Sequence, residues 1–293
     1  MFLRSLFLLA IPLAQTPDWQ SAAGGKMAFE VASIKPSDPD NFRSPTFPLD
    51  PGDAYATTGG RFSADFPLSV YIAFAYKLTL TRDQREAMLA HLPKWVSSDR
   101  FTIQAKSAEG NPTKDQMRLM MQSLLAERFK LVVHFETQQL AEFALTLIKP
   151  GKHGPNLVPH ADGPPCDGSG GPDVFPEVCH LYSLDSKGGR YLGGSRDTTM
   201  ELIAGSLPSF GRLSRPVVDQ TGLTGRYDLT VTFTPDDSLF NGHSLGFPKP
   251  ADDVEPAPGL FDAIQQQLGL KLTAEKTQVD VLAIDHVEKP SAN

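Results

Sequence analysis

The same turn sequence and the same order of predicted elements occur twice in this chain, and that recurrence restricts the fold more than any other feature. The pattern Gly-Gly-Arg-aromatic stands at 59–62 and again at 188–191. An Arg-aromatic pair that opens a strand pattern follows each copy at a similar interval, at Arg100 and at Arg226. A chance recurrence of a short glycine motif is the alternative. The matched order favours two copies of one structural unit.

Strand and helix patterns alternate within each unit, in the order strand, helix, strand, helix, strand, strand. The clearest helix follows Thr113, which forms a T-x-x-Q capping box with Gln116 and precedes an apolar stripe at helical spacing. Each unit ends on two alternating segments that we interpret as a β-hairpin, with turns at Thr137–Gln139 and Glu275–Thr277. These patterns predict an α+β fold, with helices packed on mixed or antiparallel sheets.

The predicted domain plan has four parts. Residues 1–23 form a signal peptide, and residues 27–150 form the first α+β repeat with its N-terminal strand and loop. Residues 151–187 form a linker loop that contains the cysteines, and residues 188–293 form the second α+β repeat.

The N-terminus has the pattern of a cleaved secretory signal. Arg4 provides a positive n-region, and Ser5–Ala14 is an apolar h-region. That run is too short to cross a bilayer, which takes about 20 apolar residues. Cleavage after Ala14 or after Ala23 fits the sequence, and a retained anchor or a misassigned start is the alternative. We therefore predict an exported protein, periplasmic or secreted, that meets a membrane only through an uncleaved signal peptide.

Both cysteines, Cys166 and Cys179, lie in one segment rich in glycine and proline. In an exported chain this predicts a disulfide between them. The alternative is a metal-binding pair completed by His180 or His160, but Cys-x₁₂-Cys lacks the tight spacing of a zinc knuckle. No cofactor is predicted.

The charge balance disfavours a nucleic-acid partner. Lysine and arginine number 27 against 34 acidic residues, for a formal net charge of −7. No long basic run is present, and phosphate binding needs clustered cations. The partners left open are a protein, the cell envelope or a small-molecule ligand.

No catalytic motif stands out. The sequence lacks H-E-x-x-H, S-x-x-K, G-x-S-x-G, a P-loop and G-x-G-x-x-G. Asp219, Asp228 and His286 could perform acid–base chemistry if they converged, although Asp219 is better explained as the organiser of the turn at 221–225. We therefore predict no catalytic residues, no metal site and no enzyme activity.

Two arginines are the only candidates for ligand binding. Arg215 and Arg226 flank the turn between two predicted strands and could hold an anionic ligand. A salt bridge to Asp219 or to Asp228 is an equally good interpretation.

Four longer motifs together resemble a known family: FEVASIKPS, LLAERFKLVVHFET, RPVVDQTGLTGRYDL and QLGLKLTAEKTQVDVLAIDHVEKPSAN. They are similar to the exported, soil-associated proteins expanded in Acidobacteria and known as DUF3738, and the resemblance covers almost the whole chain after the signal sequence. The segment His91–Trp95 departs from the usual family pattern. The resemblance implies no catalytic residues, because the family has no established activity.

Similar domains are attached to membrane metallopeptidase-like sensor proteins, which implies an extracytoplasmic sensing or binding role. The units also resemble, at the level of fold alone, the short N-terminal domains of secretins and TonB-dependent receptors. We expect an exported, non-enzymatic binding or sensing module. The alternatives are a hydrolase with an unrecognised site and a structural component of the envelope.

Overall fold

The computed structural model describes residues 17–38, 43–108, 110–166, 174–187, 189–211, 213–234 and 257–290. The predicted signal sequence up to residue 16 lies outside these residues. Within them the chain forms an α+β fold, as predicted, with three sheets that are antiparallel or mixed.

The helices are α1 (Asp18–Ala22), α2 (Leu68–Ala75), α3 (Arg82–Leu89), α4 (Trp95–Ser98), α5 (Lys114–Arg128), α6 (Met200–Gly211) and α7 (Leu260–Ala263). The strands are β1 (Val31–Pro36), β2 (Arg61–Pro67), β3 (Arg100–Lys106), β4 (Val132–Leu147), β5 (Leu157–Pro159), β6 (Tyr182–Lys187), β7 (Arg190–Thr198), β8 (Val217–Asp219), β9 (Tyr227–Phe233) and β10 (Leu270–His286). The α7 helix continues into a π-helical turn over Ile264–Leu268, and Gly269 ends it in the left-handed conformation, with φ of 67°.

The first half is built on an antiparallel sheet of order β1-β3-β2. Its β2–β3 register is regular from Arg61 opposite Lys106 to Pro67 opposite Arg100. The predicted capping box starts α5, and the apolar stripe of that helix is buried. The core of this half combines the sheet with α2 and α5 and includes Ile34, Phe62, Leu68, Tyr71, Ile72, Phe74, Ile103, Met117, Met121, Leu125 and Phe129.

The second half is built on a sheet of order β5-β9-β7-β6. Three of its strands, β5, β9 and β7, stand in the same order as β1, β3 and β2. Its β7–β9 register breaks between Ser195 and Thr198, which is a β-bulge. The core of this half includes Leu157, Tyr191, Ile203, Leu207, Val217, Leu229, Val231, Phe233, Leu260, Ile264 and Leu268.

The two predicted hairpins are wrong, because β4 and β10 are each one continuous strand. They pair with each other in antiparallel register, from Leu270 opposite Leu147 to Ile284 opposite Val133. The polar middles of both strands resemble turns in composition. They contain neither glycine nor proline to reverse the chain, and each instead pairs with the strand from the other half.

The β4–β10 ribbon joins the two cores. Leu282, near the end of β10, is buried in the first core, whereas Leu270, at its start, is buried in the second. Leu145 of β4 also belongs to the second core. Strands β4 and β10, the last strands of the two halves, therefore each pack against both cores. Duplication and the boundaries at 150 and 187 stay predictions.

The segment 151–187, which was predicted to be a linker loop, contains two strands. It contributes β5 to one edge of the second sheet and β6 to the other edge. The turn over His160–Asp162 lies between them. This brings the cysteine segment onto the second sheet, next to the bulge.

Candidate functional site

The two halves carry an Arg–Asp pair at matching places, and in the first half the aspartate is sealed, whereas the side chain of its arginine, Arg100, is 40% exposed. Arg100, the first residue of β3, lies with Nε 3.3 Å from Asp65 Oδ1 and also donates to the Asp65 carbonyl oxygen. Asp65 is fully buried. Ser37 donates a hydrogen bond of 2.8 Å to its second carboxylate oxygen. This arrangement leaves the Asp65 carboxylate no access to solvent.

The matching pair in the second half is partly open. Arg226, the residue before β9, donates from Nε to Asp197 Oδ1 at 2.6 Å and to the Asp197 carbonyl oxygen at 2.9 Å. The bulge gives Asp197 a left-handed backbone, with φ of 50°. The Arg226 side chain is 36% exposed and that of Asp197 is 17% exposed. The two arginines are similarly exposed, so the pairs differ in the aspartate, which is buried in the first half and reaches solvent in the second.

Side chains from both halves meet at this open pair. The Asp53 carboxylate lies 3.6 Å from Arg226 Nη1 and 3.6 Å from Lys77 Nζ. His180 Nδ1 lies 3.2 Å from Asp197 Oδ2 and 3.1 Å from Arg226 Nη2. We call Asp53, Lys77, His180, Asp197 and Arg226 the junction cluster.

Strained backbone is concentrated in the junction cluster. Within the described ranges, the non-glycine residues with positive φ are Lys77, Lys130, His180 and Asp197. All except Lys130 belong to the cluster. Such conformations cost about 1–3 kcal/mol each and persist where the surrounding structure fixes them, often at functional sites.

Buried cations of α5 hold the loop that carries Asp53. Lys114 Nζ donates to Asp50 Oδ1 at 3.0 Å and to the Gly52 carbonyl at 2.6 Å. Arg118 Nη2 donates to the carbonyls of Asp50 and Gly52. Burial lowers the pKa of Lys114 to about 8, against the opposing effect of Asp50. The loop also binds the second half, because the backbone nitrogen of Asp53 donates to the His180 carbonyl.

A second group of side chains adjoins the cluster at the cysteines. His160 Nδ1 lies 2.7 Å from Asp228 Oδ1, and His160 Nε2 lies 3.7 Å from Cys166 Sγ. The backbone nitrogen of Asp197 donates to the same Asp228 oxygen at 2.8 Å. Because a carboxylate only accepts hydrogen bonds, Asp228 fixes the His160 proton on Nδ1. His160 Nε2 is then directed at the sulfur.

The cysteine segment is fixed to the second sheet. Cys166 and Cys179 are disulfide-bonded, with their Cα atoms 5.8 Å apart. The buried guanidinium of Arg196 donates to the carbonyls of Pro164, Pro165 and Pro176. Cys166 is exposed, whereas Cys179 is 6% exposed.

The two predicted ligand-binding arginines have separate surroundings. Arg226 belongs to the junction cluster, and its carboxylate partners are Asp197 and Asp53 rather than Asp219 or Asp228. Arg215 is exposed, and its guanidinium lies 5.6 Å above the Phe143 ring. The structure thus adds partners for Arg226 that sequence did not suggest, and ligand binding by either arginine stays a prediction.

The three residues of the alternative hydrolase site have different partners. Asp219 Oδ1 accepts hydrogen bonds from the backbone and hydroxyl of Thr221, which is the turn-organising role predicted for it. His286 Nε2 lies 2.9 Å from Glu288 Oε1 at the exposed end of β10. Asp228 is engaged by His160. The contacts of these three side chains therefore do not assemble them into one constellation.

One set of potential metal ligands occurs among the residues that the structure describes. His160, Cys166 and Asp197 offer ligand atoms within 4.8 Å of one another. Cys166 is bonded to Cys179 in this form, and the thiolate is the form of cysteine that binds metals. The oxidised protein therefore does not offer this set as a complete site.

Sequence reasoning missed Asp53, Lys77 and Asp197, and it named His160 only as a possible metal ligand beside the cysteines. Asp53 lies in a long segment without periodicity, and its place depends on the buried cations of α5. The sequence did contain one sign of the bulge in β7. The interval from Arg190 to Asp197 is longer than that from Arg61 to Asp65.

A cleft between α1 and α5 is lined in part by Gln20, Lys26 and Gln122. Every helix in the described part of the chain is too short or too polar to cross a membrane.

Comparison with known proteins gives one match. A family model described as "Protein of unknown function (DUF3738)" matches residues 69–287. That span contains the second sheet, the ribbon and most of the first half. None of the curated proteins and none of the solved structures matches the chain.

Proposed function

The chain belongs to the DUF3738 family of proteins of unknown function, and we propose that it is an exported, non-enzymatic protein that binds or senses a small anionic ligand at the junction cluster. One observation carries the proposal. Two cations from different halves, Lys77 and Arg226, converge on the half-exposed carboxylate of Asp53 at 3.6 Å each.

The Asp53 carboxylate occupies the position between Lys77 and Arg226 that the acidic group of a ligand would take. Its side chain is 43% exposed, and both of its ion-pair distances are longer than those of a tight hydrogen bond. Exposed ion pairs of this kind contribute about 0–1 kcal/mol. A carboxylate or phosphate group could therefore replace Asp53 at small cost. Arg226 offers Nη1 to either group, while its Nε and Nη2 stay on Asp197.

A ligand that displaces the Asp53 side chain would also move the loop that carries it, which would link ligand binding to a change in structure. The same loop is held by Lys114 and Arg118 on one side and by the His180 carbonyl on the other. A ligand that binds better when Asp53 is displaced shifts the loop toward that state. The contact between the two halves would then change with occupancy.

Binding is tested with acetate, succinate, citrate and inorganic phosphate as probes, by calorimetry at constant ionic strength because exposed charges are screened by salt. Arg226→Gln should abolish binding. Asp53→Asn should tighten it several-fold, because an internal competitor is removed. Arg215→Gln is the matched control and should bind like the wild type. Equal affinities in all four proteins would contradict the proposal.

Export is tested separately, with a reporter that is active only outside the cytoplasm fused after Gly25. We propose cleavage after Ala14, because Trp19 of α1 lies 5.8 Å from Lys77 Nζ and that site retains the contact. N-terminal sequencing of the exported protein distinguishes the two sites. A fusion that stays in the cytoplasm would contradict the localisation and leave the binding test intact.

A further inference from the structure

We propose that Cys166 and Cys179 form a redox-active pair, in which Cys166 exchanges disulfides with external thiol or disulfide partners and His160 and Asp228 activate it. This inference concerns a group outside the anion-binding residues and does not depend on the proposed function.

The two cysteines differ in the way that an exchanging pair requires. Cys166 is exposed and can be approached by a partner, whereas Cys179 is 6% exposed. Thiol–disulfide exchange proceeds through attack by a thiolate and depends on its accessibility. Cys166 therefore has the position of the attacking residue, and Cys179 has that of the residue that resolves the mixed disulfide.

His160 is placed to stabilise a thiolate at Cys166. Its Nε2 atom lies 3.7 Å from Cys166 Sγ, and Asp228 holds the opposite ring nitrogen at 2.7 Å. A carboxylate in this position fixes the tautomer and the orientation of the ring, so that Nε2 can accept the Cys166 thiol proton. The imidazolium formed by that transfer stabilises the thiolate.

Other charged groups around the Cys166 sulfur do not cancel the stabilisation of the thiolate by His160. The Asp197 carboxylate is close to both His160 and Cys166, but it is paired with Arg226 at 2.6 Å and with His180 at 3.2 Å. The guanidinium of Arg196 binds the carbonyls on either side of the disulfide. The segment is thus held next to His160 by contacts that do not involve the disulfide itself.

The reaction conserves atoms and electrons. In the reduced protein, the Cys166 thiol proton moves to His160 Nε2, and the thiolate attacks a partner disulfide to form a mixed disulfide. The first partner thiolate takes the proton from His160. Cys179 then loses its thiol proton to solvent, and its thiolate attacks Cys166 Sγ, which re-forms the Cys166–Cys179 bond. The second partner leaves as a thiolate and takes up a proton from solvent. Two electrons pass from the protein dithiol to the partner disulfide, and a partner dithiol reverses the sequence.

The test measures the alkylation of Cys166 by iodoacetamide as a function of pH, by mass spectrometry of the peptides. Cys179→Ser provides a free Cys166 in the absence of reductant. We expect a midpoint clearly below the value of about 8.5 for an ordinary cysteine. His160→Gln in the same background should reduce the rate at pH 6.5 about tenfold, whereas His153→Gln, an exposed loop histidine of the same segment, should leave it unchanged.

The exchange itself is measured with oxidised glutathione as the probe and the reduced wild-type protein. A transient glutathione adduct on Cys166, followed by the internal disulfide, supports the proposal. An alkylation midpoint at or above about 8.5 overturns it, and this result can be obtained even if His160→Gln fails to fold. Reduction of the disulfide that occurs only together with global unfolding also overturns it.

Discussion

The Arg100–Asp65 pair and the Arg226–Asp197 pair make the same contacts in different surroundings. Each arginine donates to the carboxylate and to the carbonyl oxygen of its aspartate. In the first half the strand register is regular and the aspartate is buried. In the second half a bulge turns the aspartate toward His180 and solvent. The comparison suggests that the first pair stabilises the fold and that the second pair serves a site.

The same contrast extends to the cores. The first core contains a cluster of aromatic rings around Phe62. The second half has fewer ring contacts but carries the disulfide, His160 and His180 around its sheet. A sheet covered by dense apolar packing has little room for an accessible polar site. The first half has the dense packing, and the second half has the polar site.

Phe62→Ala and Tyr191→Ala compare the aromatic residues of the two Gly-Gly-Arg-aromatic motifs. Phe62 has four ring neighbours, Phe29, Phe47, Tyr71 and Phe74, at centroid distances up to 6.3 Å. Tyr191 contacts Phe233 at 5.5 Å. We expect losses in the free energy of unfolding of about 4 kcal/mol for Phe62→Ala and about 3 kcal/mol for Tyr191→Ala, measured by urea denaturation. A larger loss for Tyr191→Ala would contradict the assignment of the tighter core.

Asp65→Asn and Asp197→Asn test the two pairs directly. Asp65 is fully buried, although its partner Arg100 is 40% exposed, and loss of a hydrogen bond to a buried charged group costs about 3 kcal/mol. Loss of the partly exposed charge-assisted hydrogen bond of Asp197 costs about 1–2 kcal/mol. Asp65→Asn should therefore be the more destabilising change in thermal and urea unfolding. Asp83→Asn, at an exposed position of α3, controls for the generic effect of the substitution. Equal losses at positions 65 and 197 would remove the distinction between the two halves.

Lys114 should make stability depend on alkaline pH. Burial lowers its pKa from 10.5 to about 8, so above pH 8 the unfolded chain binds more protons at this residue than the folded chain does. The contribution of Lys114 to the free energy of unfolding therefore rises between about pH 8 and 10.5, by about 1 kcal/mol or more. Lys114→Met should lose this rise, and Lys276→Met, at an exposed position of β10, should retain it. If the free energy of unfolding still rises with pH in Lys114→Met, the rise cannot be assigned to Lys114.

Glu142 should weaken the ribbon between the halves at neutral pH. Burial raises the pKa of Glu142, and Glu275 opposite it acts in the same direction, against an opposing effect of Thr277. An acid whose pKa is raised on folding costs stability when ionised, and the cost disappears as the pH falls and the group takes up a proton. Glu142→Gln should gain about 1 kcal/mol at pH 7 and nothing at acid pH. Glu136→Gln, which is exposed, is the control, and a gain independent of pH would point to a different cause.

Much of the fold could be predicted because its local signals are strong. Alternation fixed β3, and the capping box of Thr113 and Gln116 marked the start of α5. The ribbon could not be predicted, because the partner of each strand lies more than a hundred residues away and no local pattern distinguishes it from a hairpin.

The site was predictable only in part. Arg226 stood out as a cation beside a glycine-rich turn, and the cysteines stood out by their number. Asp53 and Lys77 reach Arg226 through tertiary contacts of a loop without periodicity, which a sequence pattern does not reveal. The meeting of His160 with Asp228 and Cys166 depends on the bulge and on the buried Arg196, both features of the folded sheet.

Calorimetric titration of succinate and phosphate into wild type, Arg226→Gln and Arg100→Gln tests the central claim most directly. The two variants remove matching arginines from the open pair and from the sealed pair. The account predicts that Arg226→Gln loses binding, whereas folded Arg100→Gln binds with the affinity of the wild type. Binding that survives in Arg226→Gln, or that is lost to the same extent in both variants, would contradict it.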